Sequence, residues 1–426
     1  MDKAVANPRF IFITDYLRET VTDSAIVSWL EQFEKKGQIF DIVMPCTIVP
    51  YIKEKHLQNT KIAEAQKKIS GKFYRIPVLK FGQILLCLSL LWLFRKEIVS
   101  GRTIVAVKRG PTYLSAFKLL KAVYPKLYII LDLRGAGAEE FILSRSKQPF
   151  VLSYRPLKLC KNILLKSDYL SRWLYQKKLA EELNFIKLSD HTLCVSRKLK
   201  DYVLDKGKTI EPEKITVIPG SASVESFFFN ETVRNNVREK LKITKKFVFV
   251  YSGRLDKAWQ MPDFIFNIFS KLVSKNPNFF LLCLTPNKNL AHKYATAHNI
   301  PEENIWADYV KYAEINNYLC AGDAGLLFRE DTPTNNVASP TKFAEYCMAG
   351  LPVVISNGVG DFSDFVKVNN IGLIVNNESN NLINEIENKI VNSTFDKSRI
   401  AEIGKCNFSK ESNVDLFLKI YAKYCQ

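Results

Sequence analysis

The segment Asn335–Ile355, NNVASPTKFAEYCMAGLPVVI, carries residue types suited to holding a phosphate beside a sugar. Its pattern predicts a helix capped by Ser339 or Thr341, with Pro340 accepted in the first turn, running through Phe343, Ala344, Tyr346 and Cys347 to a stop at Gly350. A buried strand at Pro352–Ile355 follows. A helix that starts at a strand end offers unpaired N–H groups and the positive end of its dipole, which together attract an anion. Lys342 puts a full positive charge in that first turn, where the dipole alone disfavours a cation; a nearby anionic ligand removes the conflict. Glu345 lies one turn further on the same face, and its carboxylate can accept two hydrogen bonds from a ribose. The competing reading is an ordinary amphipathic helix with a surface Lys342–Glu345 pair, which would contribute little.

A second cationic segment is Tyr251–Trp259, YSGRLDKAW. Gly253 allows a ligand to approach the backbone. Arg254 and Lys257, just past a strand end, can hold a diphosphate from the side opposite the helix; a solvated loop is the alternative. A third is Ile129–Glu140, IILDLRGAGAEE, where an apolar strand ends at Asp132 with Arg134 beside it. Gly135 and Gly137 form G-x-G, but Glu140 occupies the third glycine position of a dinucleotide fingerprint, so that motif is incomplete. Asp132 and Arg134 either face a ligand or form a structural ion pair. Lys108 and Arg109 at the end of another strand offer two cations to an anionic acceptor.

Other chemistries lack their residues. The four histidines, His56, His191, His292 and His298, have no metal-ligand spacing, so no metal site is expected. There is no G-x-S-x-G elbow, no phosphate-binding Walker loop and no D-x-D pair. No cofactor is expected. Nine cysteines, none in a C-x-x-C pair, suit a reducing compartment, and the start of the chain has no apolar signal region.

The elements that must position these groups alternate along all 426 residues. Strands are expected at 9–14, 39–43, 104–107, 127–131, 192–195 and 215–217, then at 247–251, 279–284, 324–328, 352–355 and 373–375, with helices between them. This alternation predicts an α/β chain of two doubly wound, Rossmann-like domains, each with a parallel sheet covered on both faces. Ligands in such folds bind outside the carboxyl ends of the strands, here in a cleft between the domains. The boundaries drawn are 1–222 for a first domain and 223–408 for a second. A last helix, 409–426, carries Val414, Phe417, Leu418 and Tyr421 on one stripe and packs back on the first domain. Residues 221–244, polar and without a sheet pattern, read as a linker. Residues 151–187 read as one or two helices over the first domain.

The net charge of +18 favours an anionic partner: phosphorylated substrates, an acidic membrane surface or nucleic acid. The stretch Phe81–Phe94, FGQILLCLSLLWLF, is too short to span a bilayer, which needs about 20 residues. It reads either as a buried helix or as one seated at the membrane interface, where its Trp and cationic flanks fit.

The segment from Ser339 to Val354 resembles the donor-site signature of family-4 (group 1) GT-B glycosyltransferases. Tyr251-Ser252-Gly253-Arg254 resembles the opening of that family's second domain, Ala321–Leu327 the strand before its donor loop, and Asp190–Ser196 with Val217-Ile218-Pro219 the strands closing its first domain. The resemblance implies a GT-B fold and a retaining, metal-independent hexosyl transfer from a UDP- or GDP-sugar to a glycan or lipid-linked acceptor in polysaccharide or glycoconjugate synthesis. It implies that Glu345 binds the ribose hydroxyls and that Arg254 and Lys257 neutralise the leaving diphosphate. Backbone N–H groups near Pro340–Lys342 would hold the distal phosphate, with Ser339, Thr341 and Asn335 lining the same donor loop. The base would sit near Trp306–Val310. Asp132 is the acidic candidate beside the acceptor, with Arg109 and Arg134 binding it. Two positions depart from the family pattern. Val337 stands where the family often has a second Glu, and Ala258 and Trp259 follow Lys257 where a glycine is usual.

The location expected is the cytoplasm, with peripheral contact at the inner face of the cell membrane. The other readings are a GT-B nucleotide-sugar epimerase, disfavoured by the lack of an acid–base histidine, and a non-enzymatic nucleic-acid-binding protein, for which no recognition motif is visible.

Overall fold

The structure is a computed structural model, described here for residues 8–14, 26–78, 83–146, 168–257 and 259–424. The chain divides into two compact units. One comprises residues 1–195, 199–218 and 414–426; the other comprises 196–198 and 219–413.

The first unit holds seven parallel strands: β1 (Arg9–Ile13), β2 (Asp41–Thr47), β3 (Phe73–Val78), β4 (Ile104–Arg109), β5 (Leu127–Leu133), β6 (His191–Cys194) and β7 (Ile215–Val217). Their spatial order is β3-β2-β1-β4-β5-β6-β7. The interior strands β1, β4 and β5 are almost wholly buried apolar runs, as a sheet covered on both faces requires. Strand β3 was not expected: its burial is uneven, Pro77 lies within it, and it occupies the sheet edge, where a proline's missing N–H is tolerated.

From Val414 onward the final helix, Lys410–Ala422, belongs to this unit. Phe417 and Tyr421 enter a ring cluster with Trp29, Phe33, Phe40 and Phe10; the Trp29–Phe417 centroids are 4.7 Å apart at 63°. Edge-to-face rings of this kind add about 0.5–1.5 kcal/mol per pair beyond their burial. Of the segment read as 151–187, the helix Asp168–Leu188 is described; residues up to 167 lie outside the described set.

The second unit has six parallel strands: β8 (Phe247–Ser252), β9 (Phe279–Leu284), β10 (Ile305–Asp308), β11 (Ala324–Leu327), β12 (Val353–Ser356) and β13 (Gly372–Val375). Their order is β10-β9-β8-β11-β12-β13. Strand direction of propagation reverses between β8 and β11, which makes the loops after those two strands the topological switch point. Alternation along β8 feeds both faces. Val248 and Val250 join the core cluster with Phe343 and Tyr346, whereas Phe249 and Tyr251 join the cluster with Phe266 and Phe269. Strand β10, only four residues at an edge, also escaped the sequence reading.

Residues 221–244 are not a free linker. They contain the helix Glu231–Lys240, capped by Asn230, whose Oδ1 accepts from the Val233 N–H at 2.9 Å. Arg234 and Arg238 both reach Asp323, at 2.6 and 3.1 Å, and Asp323 also accepts from the Val248 N–H. The polar composition that suggested a linker is the composition of a helix docked by charge.

Two α/β units, each built on one parallel sheet, match the fold class expected of a GT-B chain.

Candidate functional site

In the second unit the helix Thr341–Met348 starts beside the end of β8. Pro340 is its N-cap residue, with φ −65° and ψ 122°, and no side chain caps it. This corrects the expected cap. Ser339 is occupied elsewhere, its Oγ accepting from the Gly220 N–H at 2.8 Å, and Thr341 is already inside the first turn. The helix tip keeps its N–H groups uncapped by side chains, the condition for holding an anion.

Lys342 does not lie on the surface. Its ammonium sits 4.8 Å from the centroid of the Tyr251 ring and donates to Gln260 Oε1 at 3.1 Å. It also lies directly over Gly253, whose φ is +136°; a Cβ at that position would run into the ammonium and Cε. The two motifs read separately in the sequence therefore meet. Burial drives the Lys342 pKa well below its ordinary value, helped by the neighbouring Arg329 cation and opposed by Glu345.

Glu345 is 7% exposed, and burial raises its carboxyl to about 7, against the opposing pull of Lys342 and Lys410. This excludes the surface-pair reading: both groups face inward. The fold holds the helix by Tyr346, whose hydroxyl accepts from the Ser252 N–H at 2.8 Å and whose ring lies against Gly325, where any side chain would collide. Phe343, in the same core cluster as Tyr346, stacks on Phe362 with ring centroids 4.2 Å apart.

Arg254 follows Gly253 directly. It is exposed, and its Nε donates to Asp256 Oδ1 at 2.8 Å; its carbonyl is 2.8 Å from the Tyr251 hydroxyl. Lys257 is exposed on the same loop. Asn335 is buried, and its Nδ2 donates to the Glu330 carbonyl at 2.9 Å while its backbone closes a turn on Thr332. These bonds shape the loop before the helix. Val337 is buried at 4%, consistent with an apolar residue where the family often has an acid. Val310 is buried after β10, and nearby Trp306 stacks on Tyr318 at 5.1 Å.

Arg329, two residues past β11, is the group that sequence reasoning missed. It is 4% exposed, and its Nη1 donates to the Phe328 carbonyl at 2.9 Å; it forms no ion pair among the described residues. Burial depresses its pKa. A lone arginine after an apolar run carries no spacing signal; only the topology, which places the β8 and β11 ends side by side, brings it to Lys342. Two cations beside one carboxyl of raised pKa make a site that lacks negative charge, and a buried charge left unpaired is costly.

In the first unit, Asp132, Arg109 and Arg134 are brought together at the ends of β4 and β5. Asp132 accepts from Arg109 Nε at 2.9 Å and lies 3.8 Å from Arg134, so the structural-pair reading describes it. Asp132 is 5% exposed, with its charge already committed to the two guanidinium groups. Lys108 is fully buried and donates to the Arg109 and Gly110 carbonyls and to Thr112, so it is not offered to a ligand as expected. The G-x-G segment also resolves. Gly137 opens the helix Gly137–Ser146, and the buried carboxyl of Glu182 accepts from the Gly137 and Ala138 N–H groups. An internal carboxylate fills the place where a dinucleotide phosphate would bind. Burial raises Glu182 to about 7.

Residues 233–405 match the model of the family described as glycosyl transferases group 1. No curated protein sequence matches the chain. Among solved structures, the Anabaena protein Alr3699/HepE in complex with UDP superposes with a TM-score of 0.68 at 13% identity, covering 97% of this chain and 100% of that one. A glycosyltransferase from Rickettsia africae gives 0.68 at 13% identity, with 98% and 99% covered. A UDP-N-acetylglucosamine 2-epimerase structure from Listeria monocytogenes, itself assigned that role provisionally, gives 0.57 at 11%, with 98% and 97% covered.

Proposed function

We propose, from the group 1 glycosyltransferase match of the second unit and its GT-B fold, that the protein is a retaining glycosyltransferase. It moves a hexosyl group from a UDP- or GDP-sugar to a glycan or lipid-linked acceptor, in surface polysaccharide or glycoconjugate synthesis on the cytoplasmic side of the cell membrane. One observation carries this reading: the Lys342 ammonium lies over Gly253 at the switch point, with the Glu345 carboxyl one helical turn away.

In this reading the diphosphate lies at the tip of the Thr341–Met348 helix, beside the point where Lys342 meets the Gly253–Lys257 loop. The Glu345 carboxylate accepts from the ribose hydroxyls. The bond between the anomeric carbon and the phosphate oxygen breaks, and its electron pair leaves with the diphosphate. Arg254, Lys257 and the helix N-terminus stabilise the charge that develops there, without a metal ion. The acceptor oxygen bonds to the anomeric carbon on the same face, and its proton passes to the departing phosphate oxygen. Such a reaction depends on positioning more than on a protein base. Arg109 and Arg134, held by Asp132 in the first unit, bind the acceptor.

The epimerase reading keeps some support from the Listeria likeness. Incubation with a nucleotide-sugar alone separates the two. Slow hydrolysis and no epimer support the transferase; an epimerised sugar formed without acceptor supports the alternative.

A further inference from the structure

The helix Gln83–Leu93 in the first unit turns Leu86, Cys87 and Leu90 into the core. Its other face is also apolar. Ile84 is 66% exposed, Leu88 56% and Trp92 66%, and Leu85 beside them is exposed as well. Positions 84, 88 and 92 repeat at four-residue spacing, so they form one continuous stripe. A contiguous apolar strip of this kind on a basic protein marks an interaction surface.

What the stripe meets is indicated by its far end. There Trp92 and Leu93 form part of the wall of a pocket of about 930 Å3. The pocket lies where β1, β2 and β3 begin, at the edge of the sheet opposite Asp132 and the strand-end loops. Lys72, Arg95, Lys96 and Arg102 line it, and its two acids, Asp41 and Glu97, are both bound by Arg9 at 2.8 and 2.9 Å. The pocket is therefore positive. Arg95 lies 4.1 Å from the centroid of the Trp92 ring, so cation and indole stand together at the boundary between apolar and basic surface. No described helix is long and apolar enough to cross a membrane.

We propose that this face docks on the surface of an anionic phospholipid bilayer. The Ile84–Leu88–Trp92 stripe enters the acyl boundary, Trp92 sits at the headgroup level, and the basic pocket receives headgroup phosphate. An indole flanked by cations, next to apolar side chains on one helix face, is the arrangement that an acidic interface stabilises. The proposal stands independently of the transferase reading, since none of these residues belongs to the donor site.

The test is co-sedimentation of the full chain with vesicles of phosphatidylcholine alone and of phosphatidylcholine with phosphatidylglycerol. The expected result is binding to the anionic vesicles only, weakened as salt rises from about 0.1 M to about 1 M. The double variants Leu88→Ser/Trp92→Ser and Arg95→Glu/Lys96→Glu should each lose about tenfold or more in binding, with unchanged circular dichroism and unchanged UDP or GDP binding. Equal binding by wild type and variants, or none by wild type, overturns the proposal. So does a dimer in sedimentation velocity that Leu88→Ser/Trp92→Ser dissociates, which would assign the stripe to a second copy of the chain.

Discussion

The ammonium of Lys342 occupies the space that a side chain at Gly253 would need. Because Gly253 also has φ +136°, a conformation that L-residues rarely adopt, Gly253→Ala meets both backbone strain and a collision. The expected cost is about 1–3 kcal/mol in urea unfolding, together with displacement of Lys342 and weaker nucleotide binding. Lys342→Ala in the same background should recover part of the stability and none of the binding.

Glu345 predicts a pH dependence of its own. Its folded-state carboxyl titrates near 7, above its ordinary value of 4.5, because it is buried. The folded chain thus holds more protons than the unfolded chain between those values, and stability declines as pH rises through that window. Glu345→Gln should flatten the decline of Tm between those pH values, leaving the part due to Glu182, which also titrates near 7. In the proposed ribose-binding role the ionised form is the acceptor, so nucleotide affinity should rise about tenfold from pH 6 to pH 8 in wild type and stay level in Glu345→Gln.

Arg329 is buried with no acidic partner among the described residues. If it faces bound anion, Arg329→Gln should weaken nucleoside diphosphate binding by about tenfold or more, while removing a buried charge whose desolvation opposes folding. The expected pattern is a Tm equal to or above that of wild type with lower affinity, read by thermal shift with and without nucleotide. Unchanged affinity would make Arg329 a structural residue only.

Arg254→Ala should lower the rate of donor consumption by about 100-fold or more without a change in Tm, since its side chain is exposed and its ion pair with Asp256 joins neighbours on one loop. Lys257→Ala should show a smaller loss. A Tm drop of several degrees in Arg254→Ala would show that the loop depends on that pair.

The sequence made the alternating architecture legible because buried parallel strands are unbroken apolar runs; β1, β4, β5, β8 and β9 stood out on that ground. β3 and β10 did not, since edge strands are short, half-exposed or interrupted by proline. The Ser339–Pro352 signature located the helix and its inward Lys342 and Glu345, because capping chemistry and helical spacing are local. Its N-cap was misread: Ser339 is spent on Gly220, a residue 119 positions away. Contacts of that range explain the other misses. Arg329 joins the site only through strand order, and Glu182 reaches the Gly137 helix tip from a different helix. The linker reading failed for the same reason, since Asp323 supplies the charge that makes the polar helix at Glu231–Lys240 part of the second unit.

Calorimetric titration of wild type and of Lys342→Met with UDP, GDP and their parent nucleosides most directly tests whether the helix tip and the Gly253 loop cradle a pyrophosphate. The prediction is that one nucleoside diphosphate binds at least about tenfold more tightly than its nucleoside, and that Lys342→Met removes this difference while the nucleoside's own affinity persists. Failure of both diphosphates to bind wild type, or full retention of the preference in Lys342→Met, would contradict the account.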